Sequence, residues 1–239
     1  MKMKNRNALS VLVIIMAVLN SCTKVEGTGP VVRQTINTAD FEMLVQEVPA
    51  TLFYTPSSTF KVEVEAQQNI INLIKTEVVN NTIFFSVKNN ANIRTRENIK
   101  IHVQAPDLSH LQLAGNGNIV VMTPYRPDVL YVGISGNGNI AIPFLEANRL
   151  LADINGSGNI SIENGVALKA DIDITGSGLA DWENLSTDSL TSRISGSATI
   201  RVFANDYIKT VITGSGTLYY KGNPVIESQV SGTGKIIKL

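Results

Sequence analysis

Residues 130–162 read LYVGISGNGNIAIPFLEANRLLADINGSGNISI, and one phrase occurs in them twice. An apolar strand runs into Gly136-Asn137-Gly138-Asn139-Ile140, and 20 residues later another runs into Gly156-Ser157-Gly158-Asn159-Ile160. Outward from this pair the phrase recurs at Gly115 (GNGNI), Gly176 (GSGLA), Gly196 (GSATI), Gly214 (GSGTL) and Gly232 (GTGKI). The steps between copies are 21, 20, 20, 20, 18 and 18 residues. A fixed period near 20 marks a solenoid, because a unit that short cannot bury its apolar residues alone and must stack on its neighbour.

Counted from the first glycine of each copy, the residue two before it is Leu113, Ile134, Ile154, Ile174, Ile194, Ile212 or Val230. Four after it stands Ile119, Ile140, Ile160, Ala180, Ile200, Leu218 or Ile236. Positions four and six before it, and six after it, are also mainly apolar, and Trp182 falls in the last of these columns. The spacing within each segment is two, so these are strands with one buried face. Stacking then sets like residues above like, in inward columns of Ile, Leu and Val. The turn glycines Gly115, Gly117, Gly136, Gly138, Gly156, Gly158, Gly176, Gly178, Gly196, Gly214, Gly216, Gly232 and Gly234 mark sharp corners. Polar residues one before the phrase (Ser135, Asn155, Thr175) and at its second position (Asn116, Asn137, Ser157) are expected to form hydrogen-bonded ladders along the stack.

About three short strands and three corners fit one such coil. The fold expected is all-β: a single-stranded, right-handed parallel β-helix, since parallel crossovers are right-handed. A β-sandwich also has short strands at regular spacing, but it does not demand the same turn residues in every repeat. Residues 109–239 hold the seven Gly-phrase coils. Residues 37–108 lack the phrase but alternate well in 50–54, 59–65, 82–87 and 98–103, and read as irregular first coils plus a cap. Together 37–239 form one domain. The chain stops one strand after the last phrase, at Lys235-Ile-Ile-Lys-Leu239, which implies an open apolar coil. Another protomer, giving a homo-oligomer, or the N-terminal segment would cover it.

The first 21 residues are a targeting segment. Lys2, Lys4 and Arg6 precede an apolar run from Ala8 to Leu19, too short and wrongly flanked to span a membrane. The run ends in Leu19-Asn20-Ser21-Cys22, and Cys22 is the only cysteine. This stretch resembles the lipobox of bacterial lipoproteins. The resemblance implies cleavage before Cys22 and acylation there, which would anchor the protein in the cell envelope. Lipoproteins held at the inner membrane carry Asp after the cysteine, and Thr23 here points to the outer membrane, on either its periplasmic or its outer side. Residues 22–36 then read as a lipidated tether.

The order of segments carries a second resemblance: a lipobox, a lead containing ATLFYTP, FKVEVEAQQNIINLI and TIFFSV, then IKIHVQAPDLSHLQLAGNGNI and further G-[NS]-G-x-I copies. This resembles the GIN-domain family, described as autotransporter adhesin heads. It implies a right-handed β-helix, an envelope location and adhesion, with no catalytic residues to carry over. GSATI at Gly196 and GSGLA at Gly176 depart from the pattern, and local adjustment of those corners is expected.

Lys plus Arg and Asp plus Glu are 20 each among 239 residues, so no net charge steers the chain to nucleic acid or an anionic surface. His102 and His110 have no partners at ligand spacing, so neither a metal nor another cofactor is expected. The G-x-G phrases are not followed by a helix that could present its N-terminus to phosphate. Parallel β-helices can carry glycoside chemistry on clustered carboxylates. The best such cluster is Asp153, Asp173 and Arg193, in one register of successive coils and about 4.8 Å apart per step. The blander reading is a solvated Asp–Asp–Arg ladder. Binding is expected instead at the positions that vary between coils: this ladder and the loops around Tyr125, Phe144, Glu183 and Tyr207. The ligand would be a glycan or a cell-surface protein, and the chain is expected to be a binding scaffold, with a carbohydrate-active enzyme or a structural envelope component as the alternatives.

Overall fold

The computed structural model describes residues 24–122 and 124–239. The signal segment, Cys22 and Thr23 lie outside the described residues.

The seven phrases are the corners of a parallel β-helix. Strands Val129–Gly136, Leu145–Gly156, Gly165–Gly176, Leu179–Gly196, Thr199–Gly214 and Val225–Gly232 stack in parallel, glycine on glycine. Leu113, Ile134, Ile154, Ile174, Ile194 and Ile212 line up in register and are buried. Ile119, Ile140, Ile160, Ala180, Ile200 and Leu218 do the same on the second wall. Full burial of each such side chain contributes about 1.5–3 kcal/mol, so the columns dominate the stability of the stack. Ser192 and Thr210 occupy an inward column too, and stay there because the Ser192 hydroxyl donates to Thr210 Oγ1 at 2.8 Å. The columns open at the last coil, where Val230 is 42% and Leu239 53% exposed.

The corners explain the glycines. At Gly156 φ is +130°, and a Cβ would lie 2.3 Å from the Gly136 carbonyl oxygen. At Gly158 a Cβ would lie 2.6 Å from Ile134 Cγ2. The first glycine thus turns the chain, and the second lets the next coil settle onto the isoleucine below. Backbone bonds repeat with each layer: Ser157 N–H donates to Gly136 O at 3.0 Å, and Asn159 N–H to Gly138 O at 3.0 Å. The departing copies keep these bonds, with Ser197 N–H on Gly176 O at 2.9 Å and Thr217 N–H on Ala198 O at 2.9 Å.

The change of step from 20 to 18 residues has a location. Trp182 pairs with Val202, but Ser186 pairs with Phe203, so 183–185 have no counterparts in the next coil. Thr187 then pairs with Ala204 and Ser189 with Tyr207, so Asp188 faces two residues. Three lost and one gained turns 20 into 18.

The polar ladders differ from expectation. The polar residues one before the phrase are exposed, and no side-chain ladder forms between them among the described residues. The continuous ladder runs at the fourth phrase position: Asn159 Nδ2 donates to Asn139 Oδ1 at 2.8 Å, and Asn139 Nδ2 to Asn118 Oδ1 at 2.9 Å. At the second position Asn137 Nδ2 donates to Asn116 Oδ1 at 3.3 Å and Thr233 Oγ1 to Ser215 Oγ at 2.9 Å.

The N-terminal third departs from a simple tether and cap. Strands β1 (Lys24–Glu26), β2 (Val31–Ile36), β3 (Met43–Gln46), β4 (Thr51–Pro56) and β5 (Lys61–Gln67) lead to a single helical turn, Gln68–Ile71. Strands β6 (Ile74–Val79), β7 (Thr82–Val87), β8 (Asn92–Arg94) and β9 (Lys100–Ala105) follow. Within the stretch read as a tether, β1 pairs with β8 and β2 runs antiparallel to β5. The layers are also out of chain order. β3 and β4 sit between the first Gly-phrase coil on one side and β7 and β9 on the other. Antiparallel β5 and β6 then cover β9 and β7, so the sheet end is paired rather than open. Gln46 continues the column of Leu113 and is fully buried, its amide donating to Val48 O at 3.0 Å and Ala50 O at 2.7 Å. This amide braces the corner at 47–50, which turns without a glycine.

Candidate functional site

Asp153, Asp173 and Arg193 stand in consecutive register as expected. Arg193 Nη1 reaches Asp173 Oδ1 at 3.1 Å, with side chains 68% and 49% exposed. Beside them Arg149 Nη2 holds Asp171 Oδ2 at 2.8 Å, and Lys209 Nζ holds Glu227 Oε1 at 2.7 Å. Asp153 lies next to Tyr131, whose hydroxyl is pushed up by burial and by that carboxylate. General acid–base work needs two carboxyls held in different environments around a substrate. Here the face is open and its carboxylates are matched with cations or a phenol, which is the arrangement of a solvated ladder. Among the described residues, no group of three or more His, Cys, Asp or Glu is placed to hold a metal ion.

Two large aromatic residues, one of them a binding candidate, belong to the core. Trp182 is fully buried, and its Nε1–H has no acceptor among the described residues. Tyr125, expected in a binding loop, is also fully buried. Its hydroxyl donates to the Leu108 carbonyl, and its ring meets Tyr54 edge-on with centroids 5.5 Å apart. The sequence signal was ambiguous because Tyr125 lies in a loop, where a bridge to Leu145 draws it inward. Glu183 sits at the step between coil lengths, held by Lys221 at 3.4 Å and Arg201 at 3.6 Å. With Ser161, Asp181 and Asn184 it lines a shallow hollow of about 230 Å³.

The half of the ladder face nearest the cap is less polar. Thr82, Met43, His110, Tyr131 and Leu151 follow one another in one column, with Phe84, Val45 and Gln112 beside them. All are half-buried. His110 stacks on Tyr131 with centroids 4.1 Å apart, and burial lowers its pKa. On the neighbouring wall His102 stacks on Phe53 at 5.3 Å. There Lys100 and Arg33 hold the Glu65 carboxyl down at about 2, their nitrogens 2.9 and 2.5 Å from its oxygens.

A larger hollow lies elsewhere. The β1–β8 arm stands off the coil edge where the Asn columns begin, enclosing a groove of about 930 Å³. Its walls are Glu26, Arg94, Arg96 and Glu97 on the arm side, and Pro49–Thr51 with Asn116 and Asn118 on the coil side. Gly27 N–H donates to Arg94 O at 2.9 Å and Asn69 Nδ2 to Glu26 O at 2.7 Å, which fix the arm's backbone. No sequence signal marks this site, because residues 92–98 lie outside the repeat and the arm depends on a pairing 68 residues apart (Lys24 with Asn92).

These features can be set beside known proteins. A family model described as putative auto-transporter adhesin, head GIN domain, matches residues 40–224. The chain belongs to this GIN-domain family. No curated protein matches it. Among solved structures, a putative adhesin from Bacteroides fragilis shares 23% identity with a TM-score of 0.83, covering 90% of this chain and 100% of that one. A putative lipid binding protein from Parabacteroides distasonis has 23% identity and a TM-score of 0.76, covering 91% and 100%. A putative adhesin from Parabacteroides merdae has 21% identity and a TM-score of 0.73, covering 91% and 99%. At these identities the likeness is one of fold. The GIN-domain resemblance and the all-β solenoid read from the sequence both hold. No helix among the described residues is long and apolar enough to cross a membrane.

Proposed function

We propose that this GIN-domain protein is a non-enzymatic binding scaffold of the cell envelope, held by a lipid on Cys22 and acting as an adhesin. The observation that carries the reading is the family match over residues 40–224, to a family described as an adhesin head. The geometry agrees with it. The stacked coils form a rod, Asp173 of its carboxylate ladder is engaged in an exposed ion pair with Arg193 while Asp153 lies beside Tyr131, and its groove of about 930 Å³ is lined by arginine, amide and carboxylate side chains. The anchor rests on the sequence, in which a short apolar run ends at the sole cysteine. One acyl chain gives marginal membrane binding and several give stable anchoring.

The test joins both halves of the proposal. Mass spectrometry of protein from membranes is expected to show an acylated Cys22, and Cys22→Ser to move the chain to the soluble fraction. Beads coated with the chain are expected to adhere to glycan- or protein-bearing cell surfaces better than bare beads. An unprocessed N-terminus refutes the anchor. Coated beads that adhere no better than bare ones refute the adhesin.

A further inference from the structure

We infer that the groove between the β1–β8 arm and the coil edge binds an acidic glycan, a saccharide segment bearing carboxylate or sulfate groups. This rests on the scaffold reading above and gives it a site and a ligand class.

The first observation concerns arginine. Of the seven arginines among the described residues, Arg33, Arg126, Arg149, Arg193 and Arg201 are in ion pairs. The remaining two, Arg94 and Arg96, both line this groove and have no carboxylate partner among the described residues. Arg94 stands in register with Glu26 across the parallel pair, yet the two form no ion pair. A guanidinium fork matches the planar, paired oxygens of a carboxylate and the oxygens of a sulfate.

The second observation is the direction of the amide ladders. Asn159 donates to Asn139, Asn139 to Asn118, and Asn137 to Asn116. Every donor points toward the cap. Both ladders therefore end in an amino group with no side-chain acceptor among the described residues, and both end residues, Asn116 and Asn118, line the groove. Each link polarises the next, so the terminal N–H groups are strengthened donors.

The lining also decides the class of ligand. Two arginines and two glutamates leave it near neutral, so a small free anion gains little net attraction. A saccharide carrying acid groups supplies acceptors to Arg94, Arg96 and the amides, and hydroxyl donors to Glu26 and Glu97. The volume of about 930 Å³ is at the upper end for a ligand site, enough for several sugar rings. Pro49, Ala50, Ile93 and the buried Ile99 give it too little apolar wall for an acyl chain.

The experiment titrates the detergent-purified full chain with a polyuronate, a sulfated dextran and unmodified dextran. Binding to one or both acidic polymers is expected, weakening as salt rises, with unmodified dextran at least tenfold weaker. Arg94→Ala and Arg96→Ala should each lower affinity about tenfold, as expected for a hydrogen bond to a charged group. Arg94→Lys should recover part of the loss. Asn118→Leu should weaken binding, and Arg193→Ala, on the ladder face, should not. Unchanged melting midpoints exclude unfolding of the arginine variants, whose side chains hold nothing else in place. Equal binding of unmodified dextran overturns the ligand class. So does a preference for an acidic peptide such as polyglutamate. Unchanged affinity in the Arg94/Arg96 double variant overturns the site and leaves the scaffold reading standing. Adhesion to no surface in the bead assay, with no polymer bound, overturns both.

Discussion

Gly115 and Gly156 occupy the same position of the repeat, and the structure predicts different costs for the same substitution. Both have positive φ, +98° and +130°. A Cβ at Gly115 meets nothing within 4 Å, whereas one at Gly156 would lie 2.3 Å from the Gly136 oxygen. That oxygen accepts the Ser157 N–H at 3.0 Å. Gly115→Ala therefore carries backbone strain alone, about 1–2 kcal/mol. Gly156→Ala carries the same strain, the loss of a coil-to-coil hydrogen bond worth about 1 kcal/mol, and a forced separation of two packed layers, together about 3–5 kcal/mol. For a domain of this size, 1 kcal/mol moves the melting point by roughly 2–4 °C. Circular dichroism melts should show a shift of about 5 °C for Gly115→Ala and about 10 °C or more for Gly156→Ala. Equal shifts would refute the claim that the next coil, and not the turn alone, demands glycine.

Other consequences follow from single contacts. Trp182→Ala should cost about 3–5 kcal/mol in urea unfolding, while Trp182→Phe should cost far less, because the indole N–H has no partner to lose. The Glu65 carboxyl is held at about 2, below its ordinary 4.5, chiefly by Lys100 and then Arg33. A depressed carboxyl stabilises the fold above the unfolded value, so this contribution is complete above pH 4.5 and is lost as pH falls toward 2. Unfolding midpoints measured across that window should fall with pH, and Glu65→Gln should flatten the fall. Asp173→Asn and Arg193→Ala break an exposed pair and should each change stability by less than about 1 kcal/mol. A larger loss would mean the ladder has a role that its exposure does not suggest.

The coils were legible because two periods coincide. Alternation by two assigns a face to Ile154, and repetition near 20 assigns it a neighbour, Ile174, so burial followed from spacing alone. What was not legible depends on pairing across unlike segments. Val31–Ile36 alternates no more clearly than an extended tether would, and only its antiparallel partner β5 makes it a strand. The insertion of β3 and β4 between later layers has no local signature, since any half-apolar strand can pair with any other. The Asn118–Asn139–Asn159 ladder could have been found. Asparagine at the same position in three successive copies is a stronger signal than the mixed Ser, Thr and Asn one residue before the phrase. The groove could not, because Arg94 and Arg96 belong to no repeat and only the folded arm brings them to Asn116 and Asn118.

Whether this rod binds without reacting is read by incubating the full chain with acidic and neutral glycans and following bound fraction and glycan length together. Retention of an acidic glycan, with its length unchanged over prolonged incubation, is the expected result. Shortening of any glycan that Asp153→Asn or Asp173→Asn abolishes would contradict it, and would make the ladder a catalytic face.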